Sequence, residues 1–404
     1  MPPNIIRSGT ARGIGQRGSL TMVSVLIGAF YVGSMLPTPL YPAYARAFGF
    51  SEITVTLIYA AYVIGNVTAL LIFGKVSDQA GRRRISIPAL AVAALSAACF
   101  LLAASTAWLF AARILSGLAV GVGASTATAW IAELYPGADK ATPTQLAVIA
   151  NLLGLAAGSL SAGLLASFAP LPLRLSFFAY LVVLALMALA LAGSPETVAP
   201  TRPLGEWSFA PRIGVPRNIR IDFAAPALCA FATFALLGFY AALVPGLLAR
   251  SLRLTSPVAA GAIVAGLFAI SASTAALTPT LGSRTAMRIG LGLLPICVAL
   301  LAVGSVMKSL PVLLAATALS GIASSLGFRG SLQVINQIAP RDQRAELISS
   351  YLLACYTGNS LPVIGVAVLS SLSNHMIAEV SFAVIITILA LASLVIGVRG
   401  QGQS

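Results

Sequence analysis

The sequence predicts an all-α integral membrane protein of twelve transmembrane helices, arranged as two related bundles of six. Three observations carry this. Of 404 residues, 58% are hydrophobic and only 8% charged, too little charge to coat a soluble domain. The apolar residues fall into twelve runs long enough to cross a membrane. The second half of the chain also repeats the first.

A helix needs about 20 mostly apolar residues to cross the hydrocarbon core. Runs of that length lie near 20–42, 54–76, 85–105, 108–134, 144–168 and 172–193. A second set lies near 223–247, 256–280, 289–308, 311–337, 345–371 and 377–398. Internal glycines and prolines are compatible with spans, because neighbouring helices re-satisfy freed backbone groups. The first run is already full length, so no short cleavable signal peptide is expected before it. Residues 1–19 carry Arg7, Arg12 and Arg17 without an acid, and read as a cytosolic tail rather than a transit peptide.

Orientation follows from the loops. With both termini in the cytoplasm, most of the 24 Lys and Arg fall on that side. Only Arg46, Arg174, Arg250, Arg253 and Lys308 fall outside. This asymmetry expects an even number of spans and a multi-pass protein of the plasma (inner) membrane, with the lipid bilayer as its surroundings. It also accounts for the net charge of +14 without a nucleic-acid partner. Cys99, Cys229, Cys297 and Cys355 sit within apolar runs at no metal-binding spacing and read as packing residues.

The longest loop, rich in Pro and Arg, divides the chain into a bundle at 1–193, a cytoplasmic linker at 194–222 and a bundle at 223–404. Shifting the chain by 204 residues lays Leu109–Pro136 on Leu313–Pro340, with Leu115-Ser116-Gly117 over Leu319-Ser320-Gly321. The same shift lays Arg84-Ile85 on Arg288-Ile289. Phe30-Tyr31 followed by Pro37 recurs as Phe239-Tyr240 followed by Pro245. Parallel six-helix repeats about an axis along the membrane normal are a carrier architecture.

The loop after the second span reads Gly74-Lys-Val-Ser-Asp78-Gln-Ala-Gly81-Arg82-Arg83-Arg84. It resembles the loop signature of the major facilitator superfamily, G-x-x-x-D-x-x-G-R-R/K, at the same place between spans two and three. The physics of the loop is legible by itself. Gly74 permits close backbone approach and Gly81 a tight turn, while Asp78 can accept hydrogen bonds from a helix N-terminus. The resemblance implies that Asp78 latches onto the start of span eleven, near Asp342–Glu346, and favours an outward-open state. The arginines at 82–84 are equally well placed to be a positive-inside anchor.

Span four opens Arg113-Ile-Leu-Ser-Gly117-Leu-Ala-Val-Gly121, which resembles the family's second motif. The resemblance puts Arg113 near a central cavity, linked to proton coupling or to substrate. An Arg inside a span costs at least about 2.5–3.5 kcal/mol, so it calls for a role; Arg329 in span ten is a second. Span five departs from the antiporter pattern: Gly154, Gly158 and Gly163 keep the small-residue spacing, but Ser159 and Ala162 replace its Pro and a Gly. These glycines, with Gly117 and Gly121, are read as helix-packing positions.

Mid-span acids are missing. Glu133 ends span four, Asp222 precedes span seven, Glu346 starts span eleven, and Glu52 and Glu379 sit at outer ends. Either Glu133 and Asp78 serve proton coupling together with Arg113, or the arginines hold an anionic substrate. Family geometry places spans one, four, seven and ten around the cavity, which selects Tyr31, Arg113, Tyr240 and Arg329 as its lining. His375 is expected in a short outer loop.

No Walker A loop, catalytic triad or metal cluster is visible, and neither enzyme activity nor a cofactor is expected. The Gly13–Gly18 run spells G-x-G-x-x-G but follows no strand. The expectation is a monomeric secondary carrier for a small-molecule solute, exporting a drug or metabolite against protons. An organic-anion importer or exchanger using Arg113 and Arg329 stands beside it. A non-transporting receptor or scaffold is the third reading, and the intact latch loop counts against it.

Overall fold

A computed structural model of the chain describes residues 15–73, 76–136, 141–194, 196–198, 213–340 and 343–399. Gly74, Asp342 and most of the linker lie outside the described residues. Among the described residues twelve helices are long and apolar enough to cross a membrane, and there is no strand. The first bundle holds α1 (Gln16–Met35), α2 (Glu52–Phe73), α3 (Arg82–Leu101), α4 (Thr106–Leu134), α5 (Ala141–Phe168) and α6 (Leu175–Ala192). The second holds α7 (Arg220–Ala242), α8 (Pro257–Leu277), α9 (Ser283–Val306), α10 (Leu310–Ile338), α11 (Arg344–Leu372) and α12 (His375–Arg399).

Two of the predicted spans are broken. The first, expected over 20–42, ends at Met35, turns through Thr38–Leu40 and resumes as a separate helix Tyr41–Phe48. The seventh ends at Ala242 and resumes as Val244–Ser251. Proline has no N–H to give and its ring crowds the preceding turn. Pro37 and Pro245 therefore interrupt the first helix of each bundle near the same end, as a repeat requires. α9 starts before its expected position, taking Arg284 and Arg288 into its first turns, because a helix continues past the apolar run that a hydropathy window detects. His375 likewise opens α12 rather than lying in a loop.

Odd-numbered helices begin at one face of the bundle, which also carries Arg82–Arg84, Arg217, Arg220, Arg284 and Arg288; we call it the basic face. Small residues let backbones meet within the membrane, where apolar burial alone gives little drive for association. A Cβ added to Gly117 of α4 would lie 2.0 Å from the Tyr62 carbonyl oxygen of α2, and one on Gly121 2.4 Å from the Ala69 Cβ. Gly154 and Gly158 bring α5 onto α1, where added Cβ atoms would meet the Gly28 and Val32 carbonyls at 2.5 and 2.4 Å. Gly163 faces the other bundle, where an added Cβ would lie 2.6 Å from the Pro257 carbonyl oxygen of α8. The halves thus meet along two seams, α5 with α8 and α2 with α11.

Candidate functional site

Between the seams lies a cavity of ≈ 180 Å³. Its walls come from both halves: Tyr31 and Ser34 on α1, Tyr59 and Tyr62 on α2, Arg113 on α4, and Asn151 on α5. Across from them stand Phe234, Phe268, Phe328, Tyr356 and Asn359 on α7, α8, α10 and α11. Tyr59, Tyr62 and Asn66 share one face of α2 by their spacing of three and four residues. The Asn66 amide donates to the Tyr62 hydroxyl at 2.9 Å. Tyr59 donates across the seam to Asn359 Oδ1 at 3.0 Å.

Arg113 is 1% exposed. Its Nη1 donates to the Ser34 carbonyl at 2.7 Å and its Nη2 to the Tyr59 carbonyl at 3.4 Å. The guanidinium carbon stands 4.8 Å from the Tyr62 ring centre and 5.4 Å from that of Tyr59, within the range of cation–π attraction. Nε has no partner among the described residues, nor has the buried Asn151 Oδ1. The residues lining the cavity include no Asp or Glu. The guanidinium is held by carbonyls and rings, and its charge is not neutralised.

The structure brings Tyr31 and Arg113 together at this cavity but sends the other expected lining residues elsewhere. Tyr240 is buried between α7 and α10, donating to Ser320 at 3.4 Å. Arg329 donates to the carbonyl of Thr278 just beyond α8, and its Nε and Nη2 are buried without partners among the described residues. Neither lines the cavity. Tyr59, Tyr62 and the three phenylalanines were not singled out from the sequence. Aromatic residues within an apolar span look like packing until a neighbouring helix shows what they face.

Glu133 lies at the basic face. Its Oε1 accepts from Arg82 at 2.6 Å, and Arg82 also pairs with Asp78 at 2.5 Å and donates to Ser77 at 2.7 Å. Asp78 was expected to latch onto the start of α11; the partner the structure gives it is Arg82, four residues on at the start of α3, and its side chain is 57% exposed. Glu196, from the start of the linker, covers the first turn of α3. Its Oε1 accepts from the Arg82 N–H at 2.7 Å and its Oε2 from the Arg83 N–H at 3.1 Å. At the opposite face Glu52 of α2 meets Arg250, and the Ser167 hydroxyl at the end of α5 accepts from the Val258 N–H at 3.0 Å.

Two six-helix bundles around such a cavity are one half of the case for kinship. The other is a match to the Major Facilitator Superfamily family model over residues 23–362. The chain belongs to that superfamily. It is a multi-pass membrane protein of that superfamily. Among relatives, it is 34% identical over 101 residues to the arabinose-proton symporter of Bacillus subtilis (strain 168), covering 25% of this chain and 22% of that one. It is 27% identical over 144 residues to the bacillibactin exporter of the same organism, covering 34% and 36%. The chain therefore aligns with about a third or less of the length of these superfamily relatives. A crystal structure of the human organic anion transporter MFSD10 (TETRAN) shares the fold, with a TM-score of 0.68, 17% identity, and coverage of 94% and 100%.

Proposed function

We propose that this transporter carries a small organic anion with an apolar or aromatic body, by alternating exposure of the cavity between its two bundles. The observation behind the reading is Arg113, buried with no carboxylate among the residues around it. An uncompensated charge in a low-dielectric site is costly, and a ligand carboxylate would offset that cost with charge-assisted hydrogen bonds. Tyr31, Tyr59, Tyr62 and Tyr356 offer hydroxyls, while Phe234, Phe268 and Phe328 give the apolar body a surface. Asn151, whose Oδ1 is unpartnered, would fix its orientation. The basic face is cytoplasmic on this reading, following the positive-inside rule.

Export against protons is a second reading. Similarity to the bacillibactin exporter supports the direction. Among the described residues no acid lines the cavity, so a proton step would fall to acids at the faces, such as Glu52 or the Asp78–Arg82–Glu133 group. Counterflow in proteoliposomes separates the readings. An aromatic carboxylate such as benzoate is expected to exchange faster than benzyl alcohol or benzylamine, and Arg113→Gln to remove that preference. Equal exchange of acid and amine would overturn the anion reading. Flux that ignores an imposed pH gradient would sink the proton one.

A further inference from the structure

The two halves differ at their basic-face ends. In the first half the space beside α4 is full: Trp130 is completely buried and the Arg82 guanidinium fills the gap between Asp78 and Glu133. The 204-residue shift puts Val334 where Trp130 stands. At Val334, which lines the space, an isopropyl replaces an indole. A pit remains in the second half, ≈ 40 Å³ in volume, between the ends of α7, α9, α10 and α12. That exceeds the roughly 10–15 Å³ a single water needs.

The pit's chemistry is split. Its apolar wall includes Pro226, Met287, Val334 and Ile396, and Ile221 at its rim is 66% exposed. Arg284 and Arg288 also line it, both exposed and one turn apart on the start of α9. None of the ion pairs among the described residues involves Arg284. One carboxylate, Asp222, shares the lining. Two further exposed arginines, Arg217 and Arg220, lie next in sequence to this lining at the start of α7. Basic charge over an apolar wall, at the level where a span enters the headgroup layer, complements a lipid phosphodiester and its acyl chains.

We propose that this pit is a binding site for an acidic phospholipid, with Arg284 and Arg288 holding the phosphodiester and Ile221 and Ile396 the upper acyl chain. The site lies apart from the central cavity and does not depend on what that cavity carries.

The test is native mass spectrometry of the full chain in detergent with added phosphatidylglycerol, and in parallel with phosphatidylcholine. Phosphatidylglycerol is expected to be retained preferentially. Arg284→Gln with Arg288→Gln is expected to weaken that retention about thirtyfold, at roughly a factor of five to six for each basic residue at a membrane surface. Val334→Trp fills the pit without touching charge and is expected to expel the same lipid. Unchanged retention in both variants, or equal retention of phosphatidylcholine, overturns the proposal. Inorganic phosphate is expected not to displace the lipid; displacement by millimolar phosphate alone would make this an anion site and overturn the lipid assignment.

Discussion

Glu52 Oε1 accepts a hydrogen bond from Arg250 Nη1 at 2.8 Å, tying the first bundle to the second at the face away from the basic loops. His375 Nδ1 stands 3.8 Å from the other carboxylate oxygen. Both side chains of the Glu52–Arg250 pair are about a third exposed. A partly solvated pair of this kind contributes about 0.2–1 kcal/mol. Glu52→Gln is therefore expected to raise the population open at that face by up to about fivefold. The measure is maleimide labelling of a cysteine placed at Ala45, which lines the crevice beside the pair. Labelling that stays at its original rate would refute a gating role.

Arg113 is expected to be intolerant even of lysine. The guanidinium reaches two carbonyls on different helices, Ser34 and Tyr59, while lying against two rings. An ammonium cannot serve that planar arrangement. Losing a hydrogen bond to a charged group costs about 1.5–3 kcal/mol, so Arg113→Lys is expected to raise KM for a carboxylate substrate by about tenfold or more. Arg113→Gln should reduce uptake to background. Uptake of the anion at the original KM in either variant would remove Arg113 from the site.

Much of this was legible in the sequence, and the remainder fails for identifiable reasons. The spans and the signature loop depend on residues near in the chain, and the repeat on aligning two such stretches, so all three are one-dimensional signals. Arg113 was visible because a charge inside an apolar run has few explanations. Tyr240 and Arg329 were picked by the spans they occupy, but a helix has several faces, and rotation about its axis is set by partners. Glu196 was unreadable: it lies in the linker and acts on α3 more than a hundred residues away.

That contact gives a stability test. Glu196 satisfies backbone N–H groups that the first turn of α3 cannot pair internally, and its carboxylate suits the positive end of the helix dipole. Glu196→Ala is expected to cost about 0.5–2 kcal/mol, the range for losing an N-cap. Gly81→Ala should cost more. Its φ of 105° is unfavourable for any residue with a Cβ, and that Cβ would lie 2.6 Å from Glu196 Oε2. Thermal unfolding in detergent, followed by tryptophan fluorescence, should rank wild type above Glu196→Ala above Gly81→Ala. A Gly81→Ala variant as stable as wild type would show that the contact does not form.

The packing glycines allow a sharper comparison, because two Gly→Ala changes in membrane helices are expected to have opposite signs. At Gly292 of α9 nothing lies within 4 Å of an added Cβ, and the residue is exposed on the bundle surface. Alanine there only removes backbone freedom, which favours a helix by about 0.5–1 kcal/mol. At Gly117 the same methyl would sit 2.0 Å from the Tyr62 carbonyl oxygen and 2.8 Å from the Asn66 nitrogen. Neither is the end of a flexible side chain, so α2 and α4 must move apart. Overpacking of this kind costs about 1–3 kcal/mol. The displaced helices are also the ones that carry Tyr59, Tyr62 and Arg113, and Gly117 is one turn from Arg113. Gly117→Ala should therefore lower both melting temperature and transport, while Gly292→Ala leaves transport intact and melting unchanged or slightly higher. If Gly117→Ala transports normally, the cavity does not depend on the close approach of these two backbones.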